Sequence, residues 1–233
     1  MLLLVGLLVL VGNDMIEKDF IEIFRGAMHP KDCQAIIDYT DSKELVEGKF
    51  LSRNGRILDK KEKDCWQVPN TFFDKGPDET SRFISMMITE TLKACAFNYR
   101  IIHPESANVV PWLPSDGYNI QKYFPGQAYH GLHCENVGNV GNKRCLVWMI
   151  YLNTVTDGGG TYFSNYDKTL DAVQGDVVIW PAYWTHHHRG IPSPTETKYI
   201  ATGWFEHKEE AEIVGDKLVI KPSSEVKSSR SLY

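Results

Sequence analysis

Between about Pro111 and Phe205 the chain breaks into short runs of strand-forming residues divided by turn residues. That texture most restricts what it can fold into. The runs are Tyr118–Tyr123, Gln127–Glu135, Arg144–Asn153, Thr161–Phe163, Asp176–Trp180 and Lys198–Phe205. Gly158-Gly159-Gly160 and Gln174-Gly175-Asp176 supply turns between them. Most of the runs are short for a helix and carry β-branched and aromatic residues. Six such runs within roughly ninety residues predict two packed antiparallel sheets, a double-stranded β-helix or jelly roll.

Upstream, the periodicity is helical. Pro30 sits where the first turn of a short helix would tolerate it, ahead of Cys33, Ala35, Ile36, Ile37 and Tyr39. A second helix follows Asp78 or Thr80 as cap, with Phe83, Ile84, Met87, Ile88, Thr91, Leu92 and Cys95 expected on its buried face. Between the helices Asn54-Gly55 is a hairpin-turn signal. The fold class expected is therefore α+β with a mainly β core and supporting N-terminal helices. The divisions are an apolar leader at 1–14, helical support with flanking strands at 15–110, the jelly-roll core at 111–207 and a polar, loosely held tail at 208–233.

A chain of 233 residues can bury one substantial core. Its formal net charge of -5 argues against a general nucleic-acid binder. Five cysteines at irregular spacing contain no Cys-x-x-Cys pair, which excludes zinc-ribbon and thioredoxin-type sites and favours a reducing, cytoplasmic setting. The leader falls short of the roughly 20 apolar residues that span a bilayer. It reads as a signal or anchor, or as a non-native extension ahead of a start at Met15. No other segment is apolar enough to cross a membrane.

Within the strand-like region, His133 and Glu135 stand two apart, the spacing that puts both side chains on one face of a strand and turns Cys134 away. A third ligand must come from a distant segment. The run His186-His187-His188-Arg189-Gly190 offers it, and His188 is preferred over His186 because a glycine follows two positions on and Lys198 ten positions on. Two imidazoles and one carboxylate on one face of a metal leave three positions open, which suits non-haem Fe(II). Lys198 offers a compact cation for the far carboxylate of a keto-acid co-substrate. Tyr123, Tyr151 and Thr161 could add hydrogen bonds to it. Read without this pattern, Lys198 is a surface lysine, the tyrosines are core aromatics and the three histidines are a surface patch. His130 reads as an outer or exposed histidine, Arg189 as pointing outward, and Arg144 as a solvated strand-end residue. Trp148, Trp180 and Trp204 are expected to pack between the sheets.

The run Tyr-x-x-Gly-Gln-x-Tyr before the His-x-acid pair, Trp148 to Asn153, Gly158 to Phe163, Gly175-Asp176, and His-x-Gly with its basic residue together resemble the iron(II)/2-oxoglutarate-dependent dioxygenases of the prolyl 4-hydroxylase-like family, in that family's order. The resemblance implies that His133, Glu135 and His188 bind Fe(2+), that Lys198 binds 2-oxoglutarate with Tyr123 and Tyr151, and that L-ascorbate serves as reductant. It further implies a hydroxylase that uses O2 on an unactivated C–H bond, with a prolyl residue of a peptide or protein as the family-level substrate. A free amino acid or small metabolite is the alternative. The competing readings are a non-catalytic jelly-roll binding module with a decayed metal site and a metal enzyme that needs no 2-oxoglutarate. Two departures stand out: Glu135 replaces the family's usual Asp, and the stretch from Gly126 to His133 is one residue longer than the common pattern.

Overall fold

A computed structural model describes residues 18–52, 55–69, 71–73, 77–208, 211–214 and 217–220. The apolar leader, Met15, Asn54 and the last residues of the tail lie outside them. In chain order the elements begin with strand β1 (Glu22–Phe24), helix α1 (Pro30–Asp41), β2 (Val46–Glu47), β3 (Phe50–Ser52), β4 (Gly55–Ile57), β5 (Trp66–Gln67) and helix α2 (Glu79–Ile102). The β-rich part follows: β6 (Trp112–Tyr123), a single helical turn α3 (Gly138–Gly141), β7 (Arg144–Tyr151), β8 (Thr161–Phe163), β9 (Lys168–Leu170), β10 (Val177–Pro181), β11 (His188–Gly190) and β12 (Lys198–His207). In the region expected to be a loosely held tail, β13 (Ala211–Val214) and β14 (Lys217–Ile220) pair as a hairpin.

Two sheets make the jelly roll. The larger has seven strands in the order β1-β10-β7-β12-β6-β5-β2, and the smaller has three in the order β11-β8-β9. Every residue of β7 is buried because both faces of the large sheet are covered. One face meets the helices: Trp148, Ile150, Ile120, Ala201 and Phe205 pack with Ile36, Ile84, Ile88, Leu92 and Tyr99. The other meets the small sheet, with Val147, Met149, Tyr151, Val178 and Trp180 against Phe163 and Leu170. From Leu146 to Tyr151 the two-residue period of β7 thus sends even positions to one core and odd positions to the other. Trp148 accordingly packs towards the helices rather than between the sheets; Trp180 does lie between them.

Both helices start where their caps dictate. His29 accepts a hydrogen bond from the Lys31 amide just ahead of Pro30, and Asp78 with Ser81 forms a capping box. The buried stripe of α2 is Ile84, Ile88, Leu92, Cys95 and Tyr99. Phe83, expected inside, is 53% exposed, because the i, i+4 and i, i+3 steps from Ile84 carry the apolar stripe past it.

One expected strand does not form. Gln127–Glu135 makes only isolated bridges, Lys63 with Tyr129 and His133 with His188. Its amides are spent elsewhere: His130 and Gly131 donate to the Glu62 carbonyl, and Glu135 and Asn136 donate to the Ala182 carbonyl. β1, β9 and β11 are too short to leave a legible alternation.

Candidate metal centre

The bridge between His133 and His188 brings together residues 55 positions apart. Each donates its amide to the other's carbonyl, at 3.0 and 2.9 Å. His188 opens β11, so the small sheet gains residue 133 on the edge away from β8. The two rings lie 4.3 Å apart between centroids.

Both imidazoles are held the same way. Nδ1 of His133 lies 2.9 Å from the Gly131 carbonyl, and Nδ1 of His188 lies 2.9 Å from the His186 carbonyl. A carbonyl can only accept, so Nδ1 carries a proton in each ring and Nε2 is the nitrogen turned towards the site. Those Nε2 atoms face one oxygen: Glu135 Oε1 is 3.3 Å from His133 and 4.0 Å from His188. One donor atom from each of the three residues lies within 4.8 Å of the others. Ligands about 2.0–2.2 Å from a first-row metal sit roughly 3 Å apart at right angles, so this two-nitrogen, one-oxygen set fits such an ion.

Charge supports the fit. Burial alone would raise the Glu135 carboxyl, but His133, His188 and Arg144 outweigh it and hold the group well below the usual carboxylate range. Burial, with His133 beside it, pushes the His188 imidazole down to about 3, leaving the neutral form that binds metals. The second oxygen of Glu135 is also occupied. Oε2 accepts from Trp204 Nε1 at 3.0 Å and Arg144 Nη1 at 3.3 Å, while the Arg144 guanidinium stacks 3.4 Å above the Trp204 ring. Arg144 is thus buried, not solvated. The longer Glu side chain faces the histidines despite the extra residue upstream, because the bridge to His188 fixes the backbone at His133. Tyr129 stacks on the His133 ring, centroids 3.5 Å apart.

The triad opens into a cavity of about 230 Å3 that also contains Lys198, Tyr123 and Thr161. Lys198 is 5% exposed, donates to the Gly159 carbonyl at 2.8 Å and lies 4.9 Å from the centre of the Tyr123 ring. Burial pushes its ammonium down to about 8. Tyr123 pairs across the sheet with Lys198 and donates its hydroxyl to Gln121 at 2.7 Å. Tyr151 does not line the cavity; it is fully buried and reaches it through a 2.7 Å hydrogen bond with Thr161.

The remaining candidates fall elsewhere. Nε2 of His186 is 2.8 Å from the Asp19 carbonyl, and Arg189 is exposed beside Tyr162. Gln121, Ile200, Thr202 and Trp204 line the cavity without having been singled out for it. Strand period would have found them, since Gln121 is two from Tyr123 and the others follow Lys198 in steps of two.

Comparison with known proteins gives this geometry its context. The family described as the 2OG-Fe(II) oxygenase superfamily matches residues 118–206, the segment that contains the triad and Lys198. A curated relative from Acanthamoeba polyphaga mimivirus, named "Putative prolyl 4-hydroxylase", is 24% identical over 204 residues, 84% of this chain and 77% of that one. Among solved structures, the viral collagen prolyl hydroxylase vCPH from Paramecium Bursaria Chlorella virus-1, in its 2OG complex, superposes with a TM-score of 0.58 at 18% identity, covering 82% of this chain and 98% of that one. A Trichoplax adhaerens prolyl hydroxylase in complex with a hypoxia inducible factor peptide fragment gives 0.62 at 14%, covering 82% and 86%. A Pseudomonas putida prolyl-4-hydroxylase gives 0.57 at 15%, covering 82% and 94%. These structural likenesses speak to the fold, which is the jelly roll read from the strand texture. Residues 118–206 thus match the 2OG-Fe(II) oxygenase superfamily, and over most of its length the chain is similar to proteins named as prolyl 4-hydroxylases.

Proposed function

We propose that the protein hydroxylates a prolyl residue of a peptide or protein, with His133, Glu135 and His188 holding Fe(2+) and Lys198 holding 2-oxoglutarate. The observation that carries this reading is the sharing of one cavity by two carbonyl-anchored imidazoles, a carboxylate aimed at both, and a buried ammonium. Bound iron supplies the activation of O2, coupled to oxidative decarboxylation of 2-oxoglutarate to succinate and CO2, that hydroxylates an unactivated C–H bond.

The chain's own residues set the conditions. Nδ1–H of each histidine stays on its carbonyl, so the rings cannot rotate away from the metal side. Trp204 and Arg144 keep Oε2 of Glu135 engaged and leave Oε1 as the single metal-facing oxygen. Lys198 neutralises the far carboxylate of the co-substrate, Thr161 donates beside it with Tyr151 orienting its hydroxyl, and Tyr123 closes the pocket wall. Val147, Met149 and Ile200 keep that end of the cavity dry. L-ascorbate would be the reductant that the family resemblance implies, and the five unpaired cysteines suit a cytoplasmic, reducing setting. Among the described residues no helix is long and apolar enough to cross a membrane.

The test is succinate release from 2-oxoglutarate by protein reconstituted anaerobically with Fe(II) and returned to air with ascorbate. Slow uncoupled release, abolished in His133→Ala and accelerated by proline-containing peptides, is the expected result. No release from the fully metallated protein would favour a binding module; acceleration by free amino acids alone would favour a small-metabolite hydroxylase.

A further inference from the structure

The cavity contains a second buried ammonium that the reading above does not use. Lys63 is 7% exposed and lines the cavity, although it comes from the segment before β5 and not from the jelly-roll strands. Its Nζ meets the Lys49 carbonyl at 3.4 Å and sits 5.1 Å from the centre of the Tyr129 ring, the ring stacked on His133. Among the described residues no carboxylate pairs with it. An ammonium removed from water without a counter-charge is costly, and natural proteins seldom keep one that nothing compensates.

The rim repeats the sign. Lys49 and Arg56, on and beside the β3–β4 hairpin, line the mouth, are exposed and have no ion pair among the described residues. The carboxylate on the cavity wall is Glu135, already bonded to Arg144 and Trp204. A chain whose net charge is -5 thus presents a cationic entrance to its own active site. Charge placed against the overall balance is what steers a partner of opposite sign and fixes its register. Phe50 and Leu51 on the same hairpin give the apolar wall that a prolyl ring needs.

We propose that the substrate is an acidic peptide segment, whose Asp or Glu side chain beside the target residue pairs with Lys63 while Lys49 and Arg56 attract its neighbours. This rests on the prolyl hydroxylase reading of the site and adds the charge of what enters it. The co-substrate's far carboxylate goes to Lys198, so the two ammoniums serve two different anions.

The experiment is anisotropy of labelled proline-containing peptides, identical except for Asp or Asn next to the proline, on the Fe(II)- and 2-oxoglutarate-loaded protein without O2. The Asp peptide should bind about tenfold more tightly, the effect of one compensated charge, and the gap should narrow as salt rises. In Lys63→Met the gap should shrink to about twofold while Lys63→Arg keeps it, consistent with a charge pair. Arg56→Gln reads the rim separately, should Lys63→Met fail to fold. Equal binding of the two peptides by the unaltered protein overturns the proposal. So does a Lys63→Met variant that loses 2-oxoglutarate binding but keeps the Asp preference, or a protein that binds free proline through its carboxylate and neither peptide. Succinate release, measured on the same preparation, separates the two readings. Release without Asp preference sinks this proposal alone, and Asp preference without release sinks the catalytic reading alone.

Discussion

His133 and His188 are hydrogen-bonded to each other twice through their backbones, at 3.0 and 2.9 Å, so two ligand candidates 55 residues apart are fixed in register like neighbours on paired strands. The rings hang from the same bridge, and each is locked by a carbonyl two residues before it. Site geometry therefore depends on backbone pairing, which a side-chain substitution leaves in place.

Substituting His188→Ala should consequently leave the fold standing and empty the site. Fe(II) or Co(II) affinity should fall by more than the roughly 10–100-fold that an outer hydrogen-bond partner costs. Metal titration followed by optical absorption checks the loss, and a circular dichroism melt checks that the jelly roll persists.

Trp204→Phe removes the 3.0 Å hydrogen bond to Glu135 Oε2 while keeping an aromatic ring beneath Arg144. Metal affinity should drop by about 10–100-fold, as for other groups that orient a ligand. Unchanged affinity, measured by competition with a metal indicator, would show that Glu135 needs no such partner.

Co-substrate binding should depend on pH through Lys198. Its folded-state value, lowered by burial to about 8, means that the ammonium is intact below that pH and lost above it. The dissociation constant of 2-oxoglutarate should thus be flat below about 8 and rise above it, by up to tenfold per pH unit. Lys198→Met should show weak binding with no such rise. Because the folded value lies below the ordinary 10.5, the unfolded chain holds the proton longer, and the stability of the ligand-free protein gains from this group as pH rises between about 8 and 10.5. Calorimetric titration and thermal melts at a series of pH values read the two effects separately.

Gly203 lies where β12 crosses Trp148, and a Cβ built there would come within 2.5 Å of the indole. Gly203→Ala should cost about 1–3 kcal/mol by overpacking. That lowers the melting temperature by several degrees in a chain of this size, at about 2–4 °C per kcal/mol. Differential scanning calorimetry decides it.

Much of the site was legible because strands have a period of two. Lys198, within a strand carrying Ile200, Thr202 and Trp204, can be read from spacing alone; His133 and Glu135 were paired by the same spacing, although the structure holds them by one bridge to His188 and not by a strand. The helix starts, Pro30 in the first turn of α1 and Asp78 as the cap of α2, were likewise local signals. What spacing could not give was Gln127–Glu135, whose amides pair with Glu62 and Ala182 instead of a strand. Arg144, read as solvated, became a buried partner of Glu135 with Trp204 of β12 stacked against it.

The chain's local patterns determined by themselves that a jelly roll would form, and which residue types stood ready to chelate a metal and receive an anion. Only the tertiary structure decided that His188 rather than His186 faces Glu135, that Arg144 and Trp204 hold its second oxygen, and that Lys63 enters the same cavity. The reason is physical: periodicity is a property of neighbouring residues, whereas convergence on one point depends on how distant strands pair, and no local signal carries that pairing.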